Sequence, residues 1–274
     1  MNHPKIADSE QPTVALTMTA HEPGGRLAPI VKAHLPTLLT CYPKVMAICS
    51  QETHPTILGL LRNHQVVVQV DNGPSKGIER IGHVRRAAVQ LGLRAGTPYL
   101  QLCDFDRALH WAGHHPQELR AVIAEIPNYD LLVLGRTPRA WATHPPYQVE
   151  TESLFNRIFA LVTGFAWDIG AGSRGLSQQA ARVLLEISND QTVGVDAEWP
   201  LLLLEEDAYR VGHRACEGLE FETADRFGPE IEAAGGYDAW LAQVSADPRQ
   251  WAFRIRLASL IAEAAIRVAG KNGR

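Results

Sequence analysis

The sequence predicts an α/β fold on a mostly parallel sheet, and three observations carry that expectation. Five short apolar runs, most of them with β-branched residues, mark the first half of the chain: Val14–Thr19, Val45–Cys49, Val66–Val70, Tyr99–Cys103 and Leu131–Leu134. Each run is nearly continuous in its apolar character, which suits a strand covered on both faces. Helical periodicity fills the intervals, and alternation of strand and helix builds parallel sheets.

Taken in order, residues 1–12 are polar and read as a disordered lead-in. Leu27–Leu39 is the first helix, interrupted by Pro29 and Pro36, because proline removes a backbone donor. Pro55–Asn63, Gly82–Leu93 and His115–Glu125 follow the next strands as helices. Beyond the fifth strand the pattern turns helical. Thr151–Thr163, Gln178–Ile187 and Glu198–Val211 are helix candidates, and Cys216–Phe221 is a further strand. The tail carries helices over Pro229–Val244 and Pro248–Val268. The second is amphipathic through Trp251, Ile255, Leu257, Ile261 and Ile266. There is no internal repeat and no low-complexity linker. One continuous domain is expected over 13–228, with 229–274 as C-terminal helices packed on it or across a homodimer.

Composition narrows the function. The chain has 274 residues, 46% hydrophobic and 20% charged, which is enough to bury a core without staples. Lys+Arg 26 against Asp+Glu 30 gives a net charge of −4, which argues against nucleic acid as a partner. No run approaches eighteen apolar residues, so no transmembrane segment is expected. The polar first residues lack the apolar core of a signal peptide. Cys41, Cys49, Cys103 and Cys216 are scattered without a CxxC. That spacing argues against a disulfide framework or a cysteine zinc site and fits the reducing cytoplasm.

Four local features could carry chemistry. Asp104-Phe105-Asp106 follows the fourth strand, and strand alternation puts both carboxylates on one side with Phe105 on the other. Acids at the carboxyl end of a parallel strand sit where open α/β sheets bind ligands. Their hard oxygens suit Mg²⁺ or Mn²⁺, though two acids also simply cap a turn. Asp71–Ala88 is rich in glycine and basic residues, and Lys76, Arg80, Arg85 or Arg86 would reach a diphosphate unless they form a solvated face. Asp168 precedes a glycine-rich stretch, Gly170–Gly175, in which Arg174 would neutralise phosphate or pair with an acid. Asp196-Ala197-Glu198 opens a helix, where an acid acts as general base if it faces a pocket and as a cap if it does not. Two further patterns lead nowhere. Gly24–Pro29 lacks the additional glycine and lysine of a nucleotidyltransferase loop. His114-His115 belongs to no HExxH, and most histidines are expected at the surface or in satisfied core positions.

The ordered set resembles the nucleotide-sugar glycosyltransferases of the GT-A fold, closest to the family-2 type and its polyprenyl-phosphate mannose or glucose synthases. Thr19-Ala20-His21-Glu22-Pro23 is similar to the family's P-A-x-N-E segment, with His21 in the asparagine position. Lys76-Gly77 and Arg85–Ala88 resemble its basic segment before the fourth strand, and Asp104-Phe105-Asp106 stands at its metal-binding Asp-x-Asp. Asn156-Arg157-Ile158, Asp168–Gly170, Gly172–Ser177, Val195–Glu198 and Ala208–Gly212 continue the likeness over roughly residues 13–225. The second strand departs from it, ending in Ser50-Gln51-Glu52-Thr53, and Glu220–Phe227 lacks the family's Q-x-x-R-W lid.

The resemblance implies a metal-dependent transfer of sugar from a UDP- or GDP-sugar to a hydroxyl or phosphate acceptor, the acceptor being phosphorylated or lipid-linked. Asp104 and Asp106 would hold Mg²⁺ or Mn²⁺. His21, Glu22 and Asp71 would lie against base and ribose, and Lys76, Arg85 and Arg174 would meet the diphosphate. Asp196 or Glu198 would deprotonate a hydroxyl acceptor; a phosphate acceptor needs no base, and then these acids position it. The alternatives are a sugar nucleotidyltransferase and a non-catalytic nucleotide- or sugar-binding module of the same fold.

Overall fold

The computed structural model describes residues 13–73 and 77–271. The expected lead-in at 1–12, and Lys76, lie outside the described residues. Seven strands form one sheet: β1 (Val14–Ala20), β2 (Val45–Ser50), β3 (Val67–Asp71), β4 (Tyr99–Asp104), β5 (Leu131–Arg136), β6 (Ser173–Ser177) and β7 (Val211–Cys216). Their spatial order is β3-β2-β1-β4-β6-β5-β7, and only β6 runs antiparallel to its neighbours. The helices are α1 (Ala28–Cys41), α2 (Pro55–Asn63), α3 (Ile81–Leu93), α4 (Phe105–His114), α5 (Pro116–Glu125) and α6 (Pro138–Ala142). They continue with α7 (Pro146–Thr163), α8 (Gln178–Ile187), α9 (Val195–Leu204), α10 (Gly228–Ala233), α11 (Tyr237–Ser245) and α12 (Pro248–Lys271).

Alternation along the strands explains the two cores. Val14, Leu16 and Met18 of β1 face one way and pack with Val31, Leu35 and Leu38 of α1 and Leu109 of α4. Ala15 faces the other way, into a core with Val89 of α3, Phe155 of α7, Leu184 of α8 and Trp199 of α9. On that second face the buried Thr17 hydroxyl donates to the Ala88 carbonyl at 2.7 Å and is thereby satisfied. A sheet sandwiched this way buries both faces, and that is why its strands lack polar alternation.

Several expectations are corrected. Helix α1 runs through Pro36 unbroken, its buried face anchored by Val31, Leu35 and Leu38. The strand at Asp104 ends there, and Phe105 opens α4 instead of prolonging the alternation. The second half of the glycine-rich stretch enters the strand β6, held between β4 and β5, while Gly170–Gly172 form the turn before it. The strand was illegible because Leu176 is its single apolar residue. Helix α9 starts at Val195 and stops at Leu204, ahead of the acidic run 205–207, and the strand forms at Val211–Cys216 instead of Cys216–Phe221. The expected helix over 229–244 breaks at Gly235 and Gly236, whose φ values of 88° and 124° no helix accommodates. Helix α12 packs on α7 and α9. No helix among the described residues is long and apolar enough to cross a membrane. All four cysteines are buried and free.

Candidate active site

The sheet reverses its winding between β1 and β4, because the chain passes from β1 outwards to β3 and then returns to the other side of β1. A crevice at the carboxyl ends of the strands forms at such a point. Here it is a cavity of about 390 Å³. Its floor comes from strand ends: His21 after β1, Ser50 of β2, Asp71 of β3, and Asp104 with Asp106 at the β4–α4 junction. Arg80 and Arg85 enter from the start of α3, and Asp196 from α9. Gln148 and Glu152 of α7, Arg254 of α12, and Glu222 and Arg226 from the segment after β7 complete the walls.

Register explains the placement of Asp104. It lies opposite Thr19 in the β1–β4 ladder, and the Thr19 hydroxyl donates to its Oδ1 at 2.7 Å. Gly172 faces it with φ of 64°, and a Cβ there would come within 2.5 Å of Asp104 Oδ2. Asp106 sits in the first turn of α4, where acids favour the helix end. Its Oδ2 accepts from the Arg226 guanidinium at 2.6 Å. Burial pushes the Asp106 carboxyl up. Glu222 and Asp104 push it in the same direction, against the pull of Arg226 and Arg107. Glu222 accepts from Arg107 at 2.9 Å through Oε1, while its buried Oε2 has no partner. Unpartnered buried nitrogens on Arg80, Arg85, Arg107 and Arg226, and the Gln148 Oε1, lie in the same cavity walls. Buried polar atoms are almost always bonded, so this concentration marks a ligand site.

The expected residues divide in two. His21, Asp71, Arg85, Asp104, Asp106 and Asp196 share the cavity. His21 Nδ1 lies 2.9 Å from the Ser50 hydroxyl, and Asp71 is gripped by Arg80 at 2.8 and 2.6 Å. Arg85 links two acids: it bonds Asp196 directly and stands 3.8 Å from Asp104. Asp196 also accepts from Arg174 at 2.8 Å. Both guanidiniums bond Oδ1, so the carboxylate fixes Arg85 through that one oxygen.

Glu22, Arg174 and Glu198 do not line the cavity. Glu22 is buried beneath it and accepts from the Arg26 backbone N–H at 3.2 Å. Arg174 points along the core from β6 to the Ile169 and Asp196 carbonyls, because a guanidinium in a central strand must find buried acceptors. Glu198 accepts from the Ser188 hydroxyl at 2.5 Å and the Asp190 N–H at 3.1 Å, tying the turn before α9 to that helix. Glu198 therefore neither lines the cavity nor caps α9, whose N-cap Gly194 has no side-chain bond; its carboxylate is taken up by residues 188–190. Gly24–Arg26 lies off the cavity too, with Arg26 paired to Glu230 at 2.5 Å.

Glu152, Glu222, Arg226 and Arg254 were not among the expected residues. Their sequence signal is faint, since each stands in a helix or turn that reads as ordinary surface. Only the fold brings positions 152, 222 and 254 to one place.

A sheet in this order, with the one antiparallel strand and a polar crevice at its switch point, is that of the nucleotide-diphospho-sugar transferases, the GT-A fold. Among solved structures, the chain is similar to glucosyl-3-phosphoglycerate synthase from Mycobacterium tuberculosis in complex with Mn²⁺, UDP and phosphoglyceric acid, with TM-score 0.54, 8% identity, and 94% of this chain and 78% of that one covered. The same enzyme in complex with UDP matches with TM-score 0.54 and 11% identity over 94% and 80% of the two chains. Its complex with Mn²⁺, UDP-glucose and phosphoglyceric acid gives TM-score 0.52 and 9% identity over 94% and 80%. At such identities the likeness is one of fold. No family profile matches the sequence, and no curated protein does.

Proposed function

We propose that the chain is a glycosyltransferase that moves a sugar from a UDP- or GDP-sugar to a phosphorylated acceptor, with a divalent ion. The observation that carries this reading is the cavity at the switch point, whose lining includes the carboxylates Asp104, Asp106 and Glu222, the last with a buried oxygen that accepts no hydrogen bond. The carboxylates lining the cavity are Asp71, Asp104, Asp106, Glu152, Asp196 and Glu222, against arginines 80, 85, 107, 226 and 254. Hard oxygen donors of this kind suit Mg²⁺ or Mn²⁺. Asp104, Asp106 and Glu222 would hold the ion, which supplies charge neutralisation for a diphosphate leaving group. The similar solved enzyme was crystallised with Mn²⁺ and UDP-glucose, which supports the same donor class here.

The chain's own residues then divide the work. His21, Ser50 and Asp71 form the strand-end floor against which a base and ribose would lie. Arg85, clamped by Asp196, presents a fixed positive charge beside Asp104 and needs no reorganisation when a diphosphate arrives. Arg226 covers Asp106 and would turn to the anion once a cation replaces it there. Gln148 and Arg254, the latter paired with Glu152, are the polar groups assigned to the acceptor. An acceptor that attacks through a phosphate oxygen suits Arg254 and requires no general base, whereas one that attacks through a hydroxyl must pass its proton to a base.

The test is calorimetry of nucleotide sugars with Mn²⁺ and with EDTA. UDP- or GDP-sugar should bind more tightly with Mn²⁺. Asp106→Asn should remove that difference and lower transfer at least about 100-fold, the usual cost of losing one charge-stabilising contact, while the melting temperature stays near that of the parent. Absence of nucleotide-sugar binding by the unaltered chain under both conditions overturns the reading.

A further inference from the structure

A second cluster of metal-type ligands lies one turn along α4 from Asp106. His110 and His114 stand on one face of that helix, four residues apart. Asp225 approaches them from the segment after β7. Donor atoms of His110, His114 and Asp225 all lie within 4.8 Å of one another. The His110 and His114 rings stack with centroids 4.4 Å apart, and His34 of α1 meets His114 edge-on at 6.0 Å.

Hydrogen bonding already orients the buried member. His110 Nε2 lies 3.1 Å from Glu220 Oε1, and Nδ1 lies 2.8 Å from Asp225 Oδ2. Glu220 is itself fixed by His115 at 3.0 Å and by Arg139 at 2.6 Å. A ligating histidine generally donates its other ring N–H to a carboxylate, which sets tautomer and ring direction. Glu220 stands where that outer carboxylate would stand. Nδ1 is then the nitrogen turned towards Asp225 and His114. An ion bound by both would replace the 2.8 Å contact between His110 Nδ1 and Asp225 Oδ2.

We propose that His110, His114 and Asp225 bind a first-row transition-metal dication such as Zn²⁺, with Glu220 as the carboxylate that orients His110. Two imidazoles and one carboxylate suit Zn²⁺ or Co²⁺ and are poorly matched to Mg²⁺. The ion is structural. It ties α4 to the segment that carries Glu222 and Arg226 into the cavity, because Asp225 adjoins Arg226 in sequence. The cysteine count cannot reveal such a site, since no cysteine takes part. The proposal is independent of what the cavity binds.

The experiment is Co²⁺ titration of EDTA-treated, dialysed protein, read by visible d–d absorption, with Zn²⁺ displacement followed by calorimetry. It is run in the Asp106→Asn background so that the three-carboxylate group does not compete. One equivalent should bind, and Zn²⁺ should raise the melting temperature. His114→Ala, an exposed position that leaves the core intact, should weaken binding at least about tenfold and abolish the stabilisation. Glu220→Gln should weaken it about 10–100-fold, as removal of an outer-shell partner does. Absence of Co²⁺ and Zn²⁺ binding in the Asp106→Asn protein overturns the proposal. So does binding that His114→Ala leaves unchanged.

Discussion

Asp168 shows how one residue supports the site without touching it. Its Oδ2 accepts from the Arg136 N–H at 2.8 Å and from Arg136 Nε at 2.7 Å, while Oδ1 accepts from Arg136 Nη2 at 2.8 Å and Asn156 at 3.1 Å. Arg136 also bonds Glu152, which lines the cavity, and its guanidinium lies 4.1 Å from the Trp141 ring centre. Burial alone would raise the Asp168 carboxyl, but Arg136 and these hydrogen bonds hold it far below the usual carboxylate range. Asp168→Asn leaves a buried guanidinium short of charge and should cost about 3–5 kcal/mol at neutral pH. The sign with pH follows from a depressed folded-state value. The stabilisation is complete above the unfolded value, about 3.9, and is lost as pH falls towards the folded one. Denaturant melts of the two proteins should therefore differ most at pH 6–7, and the gap should close steadily below about pH 4. A gap that is constant with pH would show that Asp168 acts by packing alone.

At the scale of elements, the start of α3 is set by its contact with the turn before α9. The Gly82 and His83 N–H groups donate to the Gln191 carbonyl at 3.0 and 3.3 Å. A Cβ on Gly82 would come within 2.5 Å of the Asp190 carbonyl oxygen and 2.7 Å of that of Thr192. Helix propensity alone favours Gly82→Ala by about 1 kcal/mol. The close backbone approach decides the opposite sign, because backbone cannot move aside as a flexible side chain does. Gly82→Ala should destabilise by about 1–3 kcal/mol, the usual cost of overpacking. It should also weaken nucleotide binding, since the same turn leads to Asp196, which holds Arg85. A higher melting temperature in that variant would mean that the turn yields.

For the whole molecule, the C-terminal helix covers α7 and α9 on the side away from the first core. Ile261, Ala264, Ala265 and Val268 of α12 are buried, and Arg254 pairs with Glu152 at 3.2 Å. Tyr147 of α7 and Trp251 meet edge-on, with ring centres 6.2 Å apart. Removing α12 would expose the apolar surfaces of α7 and α9 and open the cavity wall. A chain ending at Asp247 should lose its cooperative thermal transition and bind the dye ANS, as a loosely packed state does. A sharp melt with unchanged helix content by circular dichroism would show the helix to be an appendage.

The α/β class, five of the seven strands and the helices between them other than α4 were legible, because burial on both faces writes itself into apolar runs such as Val45–Cys49 and Leu131–Leu134. The position of Asp104 and Asp106 beside a crevice was also legible from the strand that precedes them. Local pattern could not reveal β6, whose hydrogen bonds to both neighbours replace the side-chain signal that Ser173–Ser177 lacks. Nor could it tell that Glu198 turns to residues 188–190, or that Arg174 runs through the core to Asp196. The partners of a charged side chain are chosen by distance across the fold, and pairs such as Arg85–Asp196 and Arg254–Glu152 lie about a hundred residues apart in sequence. Periodicity therefore determined which segments form the layers, while tertiary packing alone decided which charges meet within the crevice.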